Sequence, residues 1–126
     1  MSVSVFVHDE SVEIELTGLD QVWALTRHVH LDVADIVTAR IATQDELKAD
    51  LSWRVGGTWW PGRAIAGHFA SKGRPGHRQL WSAYRDAEVL LIETRLDNPW
   101  RVVLQHPDRH NLAWLIAERI PHEQRG

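Results

Sequence analysis

The chain contains no cysteine. That excludes disulfides, iron–sulfur clusters, thiol catalysis and cysteine-based zinc sites, and it suits a cytoplasmic protein. Long apolar runs are missing as well. The longest, "AEVLLI" at 87–92, carries Glu88 inside it, so no transmembrane segment is expected. The opening "MSVSVFVHDE" lacks a basic region followed by an apolar stretch, and no secretory signal is expected. No serine stands in a GxSxG elbow, no HExxH occurs, and "GGTWWPG" lacks the spacing and the lysine of a phosphate loop. The acid pairs Asp9/Glu10 and Asp45/Glu46 are adjacent in the chain, so they do not share a face. They suit a turn and a helix start better than a general acid and base. The expectation is a protein that is not an enzyme and carries no cofactor.

What is present reads as one globular unit. Of the 126 residues, 44% are hydrophobic and 25% charged, enough for a real core. A single domain over 1–120 with a frayed tail at 121–126 is expected. The net charge of −3 hides an uneven distribution. Residues 51–85 contain no acid and six cations, Arg54, Arg63, Lys72, Arg74, Arg78 and Arg85; this window is +6 and the remainder −9. Such a split steers an anionic partner, joins unlike surfaces of two subunits, or pairs internally.

Periodicity places the elements. "SVSVFVHD" and "SVEIELT" alternate with period two around "HDES", which predicts a β-hairpin over 2–17. "GLDQVWALTRH" at 18–28 shifts to helical spacing, and "VADIVTARIA" returns to a strand near 36–42. In "TQDELKADL", Thr43 and Glu46 have the spacing of a capping box on a short helix. "RVGGTWWPGRAIAGHF" at 54–69 puts two adjacent tryptophans, four glycines and a proline in a strand that ends, turns and restarts. "SKGRPGH" reads as a loop. "RQLWSAYRD", "AEVLLIETRL" and "WRVVLQ" read as strands. "HPDRHNLAWLIAERI" is the best helix, with His106 at the cap, Pro107 at the first helical position, Asp108 in the first turn, and a stripe of Leu112, Leu115, Ile116 and Ile120. Short connections favour antiparallel pairing. The expected fold is mainly β, a strongly bent antiparallel sheet or small barrel capped by one C-terminal helix.

This order resembles a bacterial pleckstrin-homology-like domain, as in small actinobacterial proteins of that group. Three stretches carry the resemblance: "GLDQVWALTRHVHLDVADI" at 18–36, "WRVGGTWWPGRAIAGHF" at 53–69 and "VVLQHPDRHNLAWLI" at 102–116. The middle one is similar to a "GT…PG…G.F" run through Gly57, Thr58, Pro61, Gly62, Gly67 and Phe69. In place of an acidic residue before the proline of the last helix, this chain has His106 before Pro107. The resemblance implies a bent barrel closed by the C-terminal helix, used as a binding scaffold. Eukaryotic members bind lipid headgroups through a basic first hairpin; here that hairpin reads "HDES" and is acidic.

Two groups of residues are candidates for contact with a partner. Trp59 and Trp60 are neighbours in a strand, so their rings are expected on opposite faces. One of them then needs cover from elsewhere, and a tryptophan near arginines is a frequent protein–protein hot spot. Arg63, Lys72, Arg74, His77 and Arg78 flank the glycine-containing loop and suit phosphate or carboxylate. The preferred reading is a binding or scaffolding module that self-associates or meets a protein partner. An anionic small molecule or lipid surface at 63–78 is the second reading, and a small enzyme with a histidine-centred pocket the third. Net acidity disfavours nucleic acid. Among the eight histidines, His28/His30 and His106/His110 have spacings that share a face, but nothing ties the pairs together, and a metal site is not expected.

Overall fold

The computed structural model describes residues 2–17, 28–48, 51–60, 64–71, 73–83 and 87–120; over 2–3, 16–17, 51–60, 64–68 and 74–75 the description is of the backbone. The helix expected at 18–28 falls mostly outside the described residues, as does the tail at 121–126. Strands β1 (Ser2–Val7), β2 (Ser11–Thr17) and β3 (His28–Asp32) form an antiparallel sheet in that order. The expected hairpin has Ser2 opposite Thr17 and Val7 opposite Val12, and the His8 N–H closes its turn on the Ser11 carbonyl at 2.8 Å.

A 3₁₀ turn at Val33–Asp35 leads into β4 (Ile36–Thr43) and the short helix α1 (Gln44–Lys48). Here the local signal is met in full. The Thr43 N–H donates to Glu46 Oε1 at 2.9 Å, and the Glu46 N–H lies 3.4 Å from Thr43 Oγ1, the reciprocal bonds of a capping box. Then follow β5 (Leu51–Trp60), β6 (Ala64–Ser71), β7 (Arg74–Ala83), β8 (Glu88–Thr94), β9 (Arg101–Leu104) and helix α2 (Arg109–Arg119).

The second sheet runs β4-β8-β9-β7-β6-β5. This corrects the expected barrel. The sheet is open, with β4 and β5 at opposite edges, and the N-terminal hairpin belongs to a separate three-stranded sheet. Nor is it wholly antiparallel. β9 inserts between β7 and β8, antiparallel to β8 and parallel to β7, with Gln79 beside Arg101 and Ser82 beside Leu104. A meander closes into a barrel when each strand pairs with the next. Here β7 and β8 are separated by β9, and α1 carries the chain from one edge of the sheet towards the other.

Layering buries what closure would have buried. Val12, Ile14 and Leu31 of the small sheet and Leu112, Ala113, Ile116 and Ile120 around α2 pack on Leu80, Leu90, Ile92, Val102 and Leu104. The alternate residues Trp81, Ala83, Val89, Leu91 and Val103 face the other way and pack with Phe69, Ala42 and Leu47 of α1. The central strands are therefore apolar on both sides, which is why "VLLI" and "VVL" read as unbroken runs. Helix α2 begins two residues later than the expected first position. Asp108 is its N-cap residue, and His106 instead accepts the Asp108 N–H on Nδ1 at 3.0 Å. Among the described residues, no helix is long and apolar enough to cross a membrane.

Candidate functional site

The segment expected as a loop at 71–77 is a hairpin tip with a bulge. Ser71 pairs with Arg74, whereas Ala70 pairs with Arg78, so β7 holds extra residues between the two pairings. Gly73 and Gly76 take φ of 72° and 81°, conformations that residues with a Cβ rarely adopt. The bulge lies beside the connection between β8 and β9. The Arg78 N–H donates to the Asp97 carbonyl at 2.8 Å, and the Arg78 carbonyl accepts from the Trp100 N–H at 3.0 Å. His77 Nε2 stands 3.2 Å from Asp97 Oδ1, and its ring meets Trp100 edge-on at 6.4 Å between centroids.

Behind these residues runs a buried polar chain. Trp81 Nε1–H donates to Gln79 Oε1 at 3.1 Å, Gln79 Nε2–H to Ser71 Oγ at 3.1 Å, and Trp100 Nε1–H to the same Ser71 Oγ at 2.6 Å. The Arg101 guanidinium lies 4.3 Å from the centre of the Trp100 ring, with Nη2 3.2 Å from Glu93 Oε2. Gln79, Ser71, Trp100 and Arg101 are all buried. Of the residues expected to grip an anion, His77 and Arg78 are brought together, both against the β8–β9 connection. Arg74 sits at the hairpin tip, and Arg63 and Lys72 lie outside the described residues. Asp97 comes from outside the basic window, so at His77 that window meets a carboxylate within the fold, whereas the Arg101–Glu93 pair lies wholly outside it.

The histidines separate into small groups. On the outer face of the three-stranded sheet, His8 Nε2 and His30 Nδ1 each lie 3.5 Å from a Glu13 oxygen, and His30 Nε2 lies 3.0 Å from Asp32 Oδ1. The hydrogen bond from His30 holds the Glu13 carboxyl below its ordinary pKa. The bonds to Asp32 and then Glu13 raise that of His30. His110 Nε2 lies 3.6 Å from Glu88 Oε1. Among the described residues, no three His, Cys, Asp or Glu side chains converge to hold a metal ion.

The two tryptophans singled out in the sequence pair through their backbones, Trp59 with Ile65 and Trp60 with Ala64; their rings lie outside the description. A third tryptophan stands out instead. Trp114 is 61% exposed, more than the other exposed large hydrophobics among the described residues, Phe6 at 46% and Val37 at 39%. The helix repeat accounts for it. Leu112, Ile116 and Ile120 recur every four residues and face the core, and Trp114 lies about 200° around the axis from Leu112. His110 and Glu118, one turn to either side of it, are exposed too.

No family model, curated protein or solved structure matches the chain. The surface has to be read from its own chemistry. Burying a tryptophan removes 150–250 Å² of largely apolar area from water. Trp114 is largely exposed, whereas Trp81 and Trp100 are buried and each hold part of the core. The signal for Trp114 was present in the sequence as its offset from the Leu112–Ile116–Ile120 stripe. It is easily passed over when every tryptophan is taken as core.

Proposed function

We propose that the protein is a binding module that acts through a protein–protein surface, that it self-associates, and that the outward face of α2 is the surface it uses. The observation that carries this reading is the 61% exposure of Trp114 on a helix whose opposite face is locked into the core. A large indole on a rigid element loses little conformational freedom on docking, which is what a hot spot needs. The second reading, anion binding at the basic hairpin, has less support, because His77, one of the residues it needs, already faces Asp97.

Sedimentation velocity over a concentration series tests the proposal. The weighted-average sedimentation coefficient should rise with concentration across roughly 5–500 μM, the range of a small, weak interface. A coefficient that stays at the monomer value throughout would sink self-association.

A further inference from the structure

Resting on that reading, we infer that two copies dock α2 against α2 in antiparallel fashion, about a two-fold axis passing beside Trp114. His110 of one copy then lies against Glu118 of the other, and the reverse.

The argument is one of self-complementarity. A two-fold interface brings the same patch to itself, so residues before the axis meet residues after it. His110, Trp114 and Glu118 are spaced by four and form one ridge about 12 Å long on the helix surface. All three are exposed. The apolar group is central, a hydrogen-bond donor stands at one end and a carboxylate at the other. Antiparallel docking sets each donor against a carboxylate and the two indoles in offset contact at the centre. Parallel docking sets carboxylate against carboxylate.

Neighbouring residues fit the same geometry. Ala117, beside Trp114 on the next turn, is small and half-buried, which leaves room for the incoming ring. In the imidazolium form both ring nitrogens of His110 carry a proton, so Nε2, 3.6 Å from Glu88 Oε1, serves a carboxylate within the chain while Nδ1 donates to Glu118 of the partner. A carboxylate accepts several hydrogen bonds, so Glu118 can serve the partner whatever contacts it keeps at home.

The pairing of i±4 ridges is the commonest way two helices meet. The other large exposed hydrophobics of the described residues lack this arrangement. Phe6 lies across from Glu13 in the small sheet, with His30 beyond it. Val37 sits at the irregular start of β4, where the pairing with β8 shifts register.

The test is a set of variants compared by sedimentation equilibrium. Trp114→Ser should raise the dimer dissociation constant by about 30-fold or more, the loss expected of a hot-spot side chain. Glu118→Lys should weaken the dimer about fivefold, since the change is made at two contacts per dimer. Adding His110→Glu and Glu88→Gln to Glu118→Lys should restore affinity to within about threefold of the unaltered chain, because the pair is then reversed rather than broken and the new carboxylate meets no like charge at position 88. Trp114 and Glu118 are exposed, so thermal unfolding at low concentration should match the parent and separate lost docking from lost folding.

If the unaltered chain dimerises and Trp114→Ser leaves the constant unchanged, the docking face is wrong while self-association stands. If Trp114→Ser weakens the dimer and the triple variant does not recover, the antiparallel pairing is wrong. If the unaltered chain never dimerises, both readings fall.

Discussion

Ser71 holds two donors on one oxygen. Trp100 Nε1–H reaches it at 2.6 Å and Gln79 Nε2–H at 3.1 Å, and all three residues are buried. Through it the end of β6, the middle of β7 and the residue before β9 are joined by side chains as well as by the sheet. A buried donor that loses its acceptor costs far more than the average hydrogen bond contributes. Ser71→Ala should therefore lower stability by about 1–3 kcal/mol. Urea unfolding should show the loss as a shifted midpoint at unchanged slope. A change below about 0.5 kcal/mol, the level of an ordinary surface substitution, would show that the network does not hold this corner. Trp100→Phe makes a useful contrast. It removes one donor, keeps an aromatic ring under Arg101, and leaves Ser71 bonded to Gln79. Its loss should be the smaller of the two, at about 1 kcal/mol.

Among the elements, the outer strip of the three-stranded sheet gives a pH dependence whose sign is fixed. Cross-strand neighbours Glu13 and His30 stand opposite each other, and Asp32 lies two residues along β3 from His30. The His30 pKa is raised in the fold, so its contribution is full below the unfolded value and fades as pH rises through the folded one. That of Glu13 is lowered, so its contribution is full above the unfolded value and fades as pH falls through the folded one. Both are present together between the carboxylate and imidazole ranges, from about pH 5 to about pH 6.5. The difference in melting temperature between the parent and His30→Gln should peak in that window and shrink in high salt, since the groups are exposed. A difference that is flat with pH would remove the pairing. This hairpin was legible in the sequence, as were the Thr43–Glu46 cap and the apolar stripe of α2, because each rests on a local period or spacing. The insertion of β9 was not. "WRVVLQ" announces a strand but not its neighbours, and a four-residue strand buried on both faces pairs equally well in either direction. The barrel expectation failed there, and with it the idea that the first hairpin joins the main sheet. The candidate site divides along the same line. The exposure of Trp114 follows from helix arithmetic, whereas the pairing of His77 with Asp97 depends on a contact across 20 residues of chain.

For the whole molecule, the arrangement of layers decides which surfaces remain for a partner. Both faces of the central strands are covered, one by the small sheet and α2, the other by the cluster around Trp81 that includes Leu47 of α1. The sheet still has edges, and an open edge invites pairing with another chain. At β4 that route is obstructed by the register shift between Ile36 and Thr38 and by the exposed Arg40, whose guanidinium lies 3.8 Å from Glu46. The outer face of α2 carries the most exposed large hydrophobic of the described residues. Association through a folded surface stabilises the folded state by mass action, because the unfolded chain does not present that surface. The melting temperature of the parent should therefore rise with protein concentration, by several degrees when the total concentration is raised about 100-fold beyond the dissociation constant, where self-association stabilises each chain by about 1.6 kcal/mol. Trp114→Ser should melt with the parent at the lowest concentration and fail to follow it upward. Parallel rises in the two proteins would place the association on another surface, and a parent whose melting temperature ignores concentration would argue for a chain that works alone.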